Sequence, residues 1–133
     1  MQSESRRFLT LEEVLMLHEI AIERYGGSAG VRDIGLVESA ISLPMQTWDG
    51  EYLVGGVPEM AAAYWHGLSK NHGFIDGNKR VGFMATDAFL QLNGLLLTLT
   101  EAEAEDVALR VATSDCSREE LAEIIRANCK PLD

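Results

Sequence analysis

Positive charge is scarce in this 133-residue chain: 11 lysines and arginines stand against 21 aspartates and glutamates, giving a formal charge of −10 and a pI near 4.7. Such an excess works against nucleic acid and anionic membranes, so neither is expected as a direct partner. Cysteine is nearly absent. Cys116 and Cys129 have neither CxxC spacing nor a nearby histidine, which excludes a disulfide framework and a thiolate zinc site and leaves two reduced thiols. No apolar run reaches the roughly 20 residues that span a bilayer. No apolar segment follows Arg6-Arg7 as a secretory leader would require, and the expected location is the cytoplasm. Repeats and low-complexity tracts are missing too. What the chain does have is apolar side chains, 47% of all residues, enough to bury one core in a single domain spanning 1–133.

Their spacing is helical, and the expected fold is all-α: about six helices with one short β-hairpin. Thr10-Leu11-Glu12-Glu13 is a capping box, in which the hydroxyl takes one orphan N–H and Glu13 reaches back to another. Leu11, Val14, Leu15, His18 and Ile22 then recur on one face until Gly26-Gly27 stops the run. His18, on that face, is read as a core histidine with one hydrogen bond. Residues 1–8, polar apart from Phe8, are expected to be poorly ordered. Asp33 caps a second helix to about Leu43, stopped by Pro44. Pro58 opens a third, to about Asn71, and a fourth runs from Asn78 to Asn93. The fourth is apolar almost all round, which marks it as central. Capping boxes at Thr100 to Glu103 and Ser117 to Glu120 start two more, running to about Thr113 and Asn128. Leu95 to Leu99 is too short to assign.

Between the second and third helices, Trp48-Asp49-Gly50-Glu51-Tyr52 carries the hairpin dipeptide Asp-Gly between two strand-favouring aromatics. The alternative is a surface loop anchored by Trp48.

Chemistry concentrates in Asn71 to Phe83, where a polar loop feeds an apolar helix. A helix start offers unpaired N–H groups and the positive end of the macrodipole, and Gly77 lets a ligand approach the backbone. Two cations, Lys79 and Arg80, sit at that positive end, where the dipole disfavours them unless an anion intervenes. A bound phosphate is the simplest explanation. Histidine is the side chain whose unperturbed pKa lies nearest neutrality, so His72 suits a general base; Asp76 offers a hard oxygen for Mg²⁺, and Gly77 and Asn78 offer backbone and amide donors. Each piece alone has a bland reading as a turn, a cap or a solvated first turn. Together they make a site for transfer of a phosphate-bearing group.

His72-Gly73-Phe74-Ile75-Asp76-Gly77-Asn78-Lys79-Arg80 resembles the Fic/Doc signature His-x-Phe-x-(Asp/Glu)-(Gly/Ala)-Asn-x-Arg. Leu17-His18-Glu19, Arg24-Tyr25-Gly26-Gly27 and Gly35 to Ala40 resemble the N-terminal half of the Doc branch, so the likeness covers about residues 9 to 98. The AMP-transferring Fic branch has glycine where this chain has Lys79 and a second arginine where it has Phe83. The Doc branch carries the lysine.

The resemblance therefore implies a toxin of a toxin–antitoxin pair. It would act as a kinase, passing the γ-phosphate of ATP with Mg²⁺ to a Ser/Thr hydroxyl of translation elongation factor Tu. His72, Asp76 and Arg80 would be catalytic, Gly77, Asn78, Lys79 and Arg80 would bind nucleotide phosphates, and Asp76 would hold the metal. The hairpin, Trp48 to Tyr52, would be a flap that docks the target. AMP transfer is the alternative, favoured by Gly77, where Doc has alanine; a non-catalytic binding module and a small-molecule phosphotransferase or phosphate-ester hydrolase are the others. Self-restrained members of this family carry an inhibitory helix reading (Ser/Thr)-x-x-x-Glu-(Gly/Asn). The nearest match, Thr47 to Glu51, is followed by Tyr52, so the expected brake is a separate antitoxin whose amphipathic helix fills an apolar groove. Helix one, apolar on more than one side through Leu11, Val14, Leu15, Met16, Leu17, Ile20 and Ile22, is the candidate wall.

Overall fold

A computed structural model describes residues 6–132. Helix α1 spans Leu11–Tyr25 and α2 spans Ile34–Ser42, followed by one 3₁₀ turn, Leu43–Met45. Strands β1 (Thr47–Trp48) and β2 (Glu51–Tyr52) form the hairpin, and α3 covers Val57–Lys70. Then come α4 (Asn78–Leu92), β3 (Leu95–Leu97), α5 (Glu101–Ala112), α6 (Arg118–Ala127) and β4 (Cys129–Pro131).

The capping boxes at Thr10, Thr100 and Ser117 all form, with the hydroxyls accepting from Glu13, Glu103 and Glu120 N–H. Asp33 caps α2 by accepting from Gly35 and Leu36 N–H. Pro44 lies inside the 3₁₀ turn, two residues past the end of α2, because its fixed φ suits a tight helical turn as well as a stop. Pro58 is the second helical residue rather than the first. The start of α3 is capped from within when Glu59 Oε1 accepts from Gly56 N–H at 3.0 Å.

The central helix is α3, not α4. Met60, Ala61, Ala62, Ala63, Tyr64 and Trp65 are all fully buried, since three consecutive alanines let neighbours close on every side. Helix α4 buries Val81, Ala85, Phe89 and Leu90 but leaves Phe83 and Met84 half-exposed. Tyr64 packs on Phe89 and Trp65 on Phe83, so the two helices run antiparallel, and Gly82 lets them close. A Cβ at Gly82 would stand 2.6 Å from Ser69 Oγ.

Leu95 to Leu97 pair antiparallel with Cys129 to Pro131 in a second two-stranded sheet, which the short apolar run alone had not disclosed. Residues 1–5 fall outside those described, but Arg7 to Leu9 are well tied down. Arg7 N–H donates to Asn93 Oδ1, Leu9 N–H donates to the Tyr64 hydroxyl at 3.0 Å, and Phe8 stacks on Phe89. Both cysteines are free thiols, and burial pushes the Cys116 thiol up. Among the described residues no helix is long and apolar enough to cross a membrane.

Candidate active site

The loop between α3 and α4 is a rigid backbone presenting exposed side chains. His18, buried on α1, stacks on Phe74 with ring centroids 3.9 Å apart, and its Nε2 lies 2.7 Å from the Asp76 carbonyl oxygen. As the tautomer carrying H on Nε2 it donates that bond, so the core histidine foreseen from the sequence directly supports the motif. Asn78 folds back on Phe74: its Oδ1 accepts from Phe74 N–H at 3.1 Å and its Nδ2 donates to Phe74 O at 3.0 Å. Its amide is thereby anchored, leaving the backbone N–H and the second amide hydrogen as its donors for a ligand.

The other brace was not anticipated. Residues 27–33, between α1 and α2, run antiparallel to the loop. Val31 bridges Phe74, Ile75 N–H donates to Gly30 O, and both Arg32 and Asp33 N–H donate to Gly73 O. Arg32 Nε also donates to His72 O at 2.8 Å, fixing the one motif residue other than glycine with a left-handed backbone, His72 at φ 55. Strain of that kind persists only where the surroundings over-determine it. Asp76 is fixed through its carboxylate, Oδ2 accepting from Ser28 N–H at 3.1 Å and Oδ1 from Gly77 N–H at 2.9 Å. Two glycines make this possible. A Cβ at Gly27 would meet Asp76 Oδ2 at 2.8 Å, and one at Gly73 would meet Val37 Cγ2 at 2.5 Å. The sequence signal for this brace was the density of glycine between Gly26 and Gly30, which reads simply as a loop.

Gly77 takes φ 77 and caps α4 without a side chain, so the first N–H groups of that helix have no intrahelical partner. They open on a cavity of about 620 Å³ whose wall brings together His72, Asp76, Gly77, Asn78, Lys79 and Arg80, with Tyr25 and Ser69 also lining it. Ser69, also missed in the sequence, is buried with no partner for its hydroxyl. The Arg80 guanidinium lies 3.7 Å above the Tyr25 ring centroid. Asp76 fits a magnesium ion as a lone protein carboxylate, for each oxygen keeps a lone pair beyond its one N–H bond and Mg²⁺ commonly takes one or two carboxylates plus substrate phosphates and water. Among the described residues no cluster of three or more acidic, histidine or cysteine side chains could hold a metal by protein ligands alone.

The hairpin forms as its Asp-Gly demands, with Asp49 at φ 53 and Gly50 at φ 83, but none of Trp48 to Tyr52 lines the cavity. Tyr52 packs on Phe8, which stacks on Phe89, roughly 16 Å along α4 from Asn78. The element beside the loop is 27–33 instead. Topology explains it: the hairpin leads into α3, whose first turn lies at the far end of α4 from the motif.

A family profile described as the Fic/DOC family matches residues 8–90. The chain belongs to the Fic/Doc family. Toxin Doc of Mycolicibacterium smegmatis (strain ATCC 700084 / mc(2)155) is 37% identical over 117 residues, covering 86% of this chain and 88% of that protein. Protein kinase doc of Escherichia phage P1 is 30% identical over 120 residues, covering 90% of this chain and 94% of its own. Both likenesses run over most of this chain and of each relative, and both relatives carry the name Doc.

Proposed function

We propose that this Doc-type protein is a kinase that transfers the γ-phosphate of ATP to a Ser or Thr hydroxyl of a cytoplasmic protein, translation elongation factor Tu being the expected target, and so arrests translation. The observation that carries the reading is the cavity itself, where the uncapped start of α4 and the Lys79–Arg80 pair face an exposed histidine on a strained, fully braced backbone. Roles follow from chemistry. His72 takes the hydroxyl proton at an imidazole nitrogen, Lys79 and Arg80 meet phosphate oxygens with the α4 N–H groups, and Asp76 is the residue that would hold a magnesium ion. Bound there, Mg²⁺ would pair the phosphate oxygens and offset their charge.

The phage relative named as a protein kinase supports phosphoryl rather than AMP transfer. Gly77 does not weigh against it, since φ 77 is a conformational reason for glycine in either branch. For target docking, the 27–33 segment is better placed than the hairpin. Val31 bridges Phe74 on one side and leaves its own N–H and C=O free for an added strand, whereas Trp48, 77% exposed, lies at the other end of the bundle.

The antitoxin's helix has a fitting groove. A second cavity of about 690 Å³ between α1, α4 and α5 is lined by Leu17, Phe83, Met84, Ala88, Ala108 and Leu109, among others, and shares Lys79 and Arg80 with the first. Of the α1 residues foreseen as its wall, only Leu17 contributes, because Val14 is buried in the domain's own core and Met16 points to solvent.

Intact-mass and peptide mass spectrometry of purified elongation factor Tu incubated with ATP, Mg²⁺ and the protein tests the reading. A phosphoryl increment on a Ser or Thr is expected. An AMP increment would replace kinase by AMP transfer, and Lys79→Gly, which opens the backbone beside the phosphates, should then be at least as active as wild type rather than weaker.

A further inference from the structure

We infer that Tyr25 is a positioning residue for Arg80: the ring takes the flat face of the guanidinium and thereby holds its edge donors free for a phosphate. The chain has ten more negative than positive charges, so an arginine would be expected to lie against a carboxylate. Arg80 lies against an aromatic ring instead, at 3.7 Å, and among the described residues no side-chain hydrogen bond or ion pair engages it. The difference matters chemically. A carboxylate would occupy the in-plane N–H groups, the same fork that grips phosphate, whereas a π face attracts the cation perpendicular to that plane and leaves all five donors unused.

Tyr25 is itself fixed. It is the last residue of α1, where Gly26 at φ 88 turns the chain away while its N–H closes on Ile22 O at 2.8 Å. The ring lines the motif-loop cavity and the α1–α4–α5 groove alike, 49% exposed, so it stands as the partition against which the long arginine side chain rests. Arg80 begins one residue after Lys79 in the first turn of α4 and has several rotatable bonds. Without a stop it would sample both cavities.

The proposal rests on the phosphate-binding reading of the loop, and its test is separable from the kinase reading. Calorimetric titration of the full chain with pyrophosphate and Mg²⁺ would compare wild type, Tyr25→Phe, Tyr25→Leu, Arg80→Ala and the Tyr25→Leu/Arg80→Ala double variant. Tyr25→Leu should bind about 2- to 30-fold more weakly, the span of measured cation–π strengths, while Tyr25→Phe, which keeps the ring, binds like wild type. In the Arg80→Ala background the Tyr25→Leu change should have no further effect. Wild-type affinity in Tyr25→Leu, equal loss in Tyr25→Phe, or wild-type affinity in Arg80→Ala would each overturn the assignment. If Tyr25→Leu does not fold, the ring-current shift of the Arg80 side-chain protons, required in wild type and Tyr25→Phe, decides instead, and its absence overturns the stacking. Transfer to a protein is read separately. The expected binding order without any transfer would sink the kinase reading and leave Tyr25 in place, and transfer without that order would do the reverse.

Discussion

Asp-Gly occurs twice at a turn in this molecule, as Asp49-Gly50 and as Asp76-Gly77, and both glycines adopt positive φ, 83 and 77. Locally they are near twins. The first closes a hairpin of two-residue strands whose only ring contact among the described residues is Tyr52 on Phe8, and a Cβ at Gly50 would meet nothing within 4 Å. The second starts a 15-residue helix and is held from three directions, by Ser28, His18 and the Asn78 brace on Phe74. The same dipeptide thus makes a free turn in one place and a fixed one in the other. What sets the motif loop apart is the number of other segments that determine its backbone, not its own composition.

The sharpest way to break this contrast is at the side chains. His72→Ala should lower target phosphorylation by about 10²–10⁴-fold, the worth of a general base, with no shift in thermal unfolding because its side chain is exposed. Trp48→Ala should leave nucleotide affinity and rate unchanged; a comparable loss in radiolabel transfer would put the hairpin into the chemistry.

The two turns' glycine neighbourhoods should separate as well. Gly27→Ala sets a Cβ against Asp76 Oδ2 at a residue with φ 110 and should cost about 2–4 kcal/mol in urea unfolding, with transfer lost alongside. Gly50→Ala carries only the left-handed strain, about 1–2 kcal/mol, and should keep full activity.

Support from α1 comes next in size. His18→Phe retains the stack on Phe74 but deletes the bond to Asp76 O, so a loss of about 1–2 kcal/mol and a reduced kcat at nearly normal KM for ATP are expected. Unchanged kcat would mean the loop holds its shape without that bond.

The smallest effect belongs to neither turn and calibrates the others. His66 on α3 is lowered from its usual 6.5 by burial first, then by Lys70 and Arg118. Its folded form binds fewer protons than the unfolded chain in the window just below pH 6.5, so stability should fall as pH drops through that window. His66→Gln should flatten this part of a melting-temperature profile without altering transfer.

Much of this was legible in the chain itself. Capping boxes at Thr10, Thr100 and Ser117 and the Asp33 cap mark helix starts because they are local chemistry, satisfied within four residues. The motif was legible for the same reason, as adjacent residues with one shared purpose. Less legible was everything that depends on distant partners. The 27–33 brace meets the loop through backbone N–H and C=O groups that every residue carries, so no side-chain pattern announces it. The pairing of Leu95 to Leu97 needed Cys129 to Pro131, more than thirty residues on. The hairpin's distance from the motif was hidden for a related reason: Asp49-Gly50 announces a turn but says nothing of which end of α3 it adjoins.

The β3–β4 pairing has one more consequence. Leu132 N–H donates to Gly94 O, and Arg7 N–H donates to the side chain of Asn93, so residues near both ends of the chain are moored to two adjacent residues at the foot of α4. The motif loop crowns the opposite pole. A tether joined through either of these moored segments would therefore leave the cavity facing outward, with the motif loop turned toward solution.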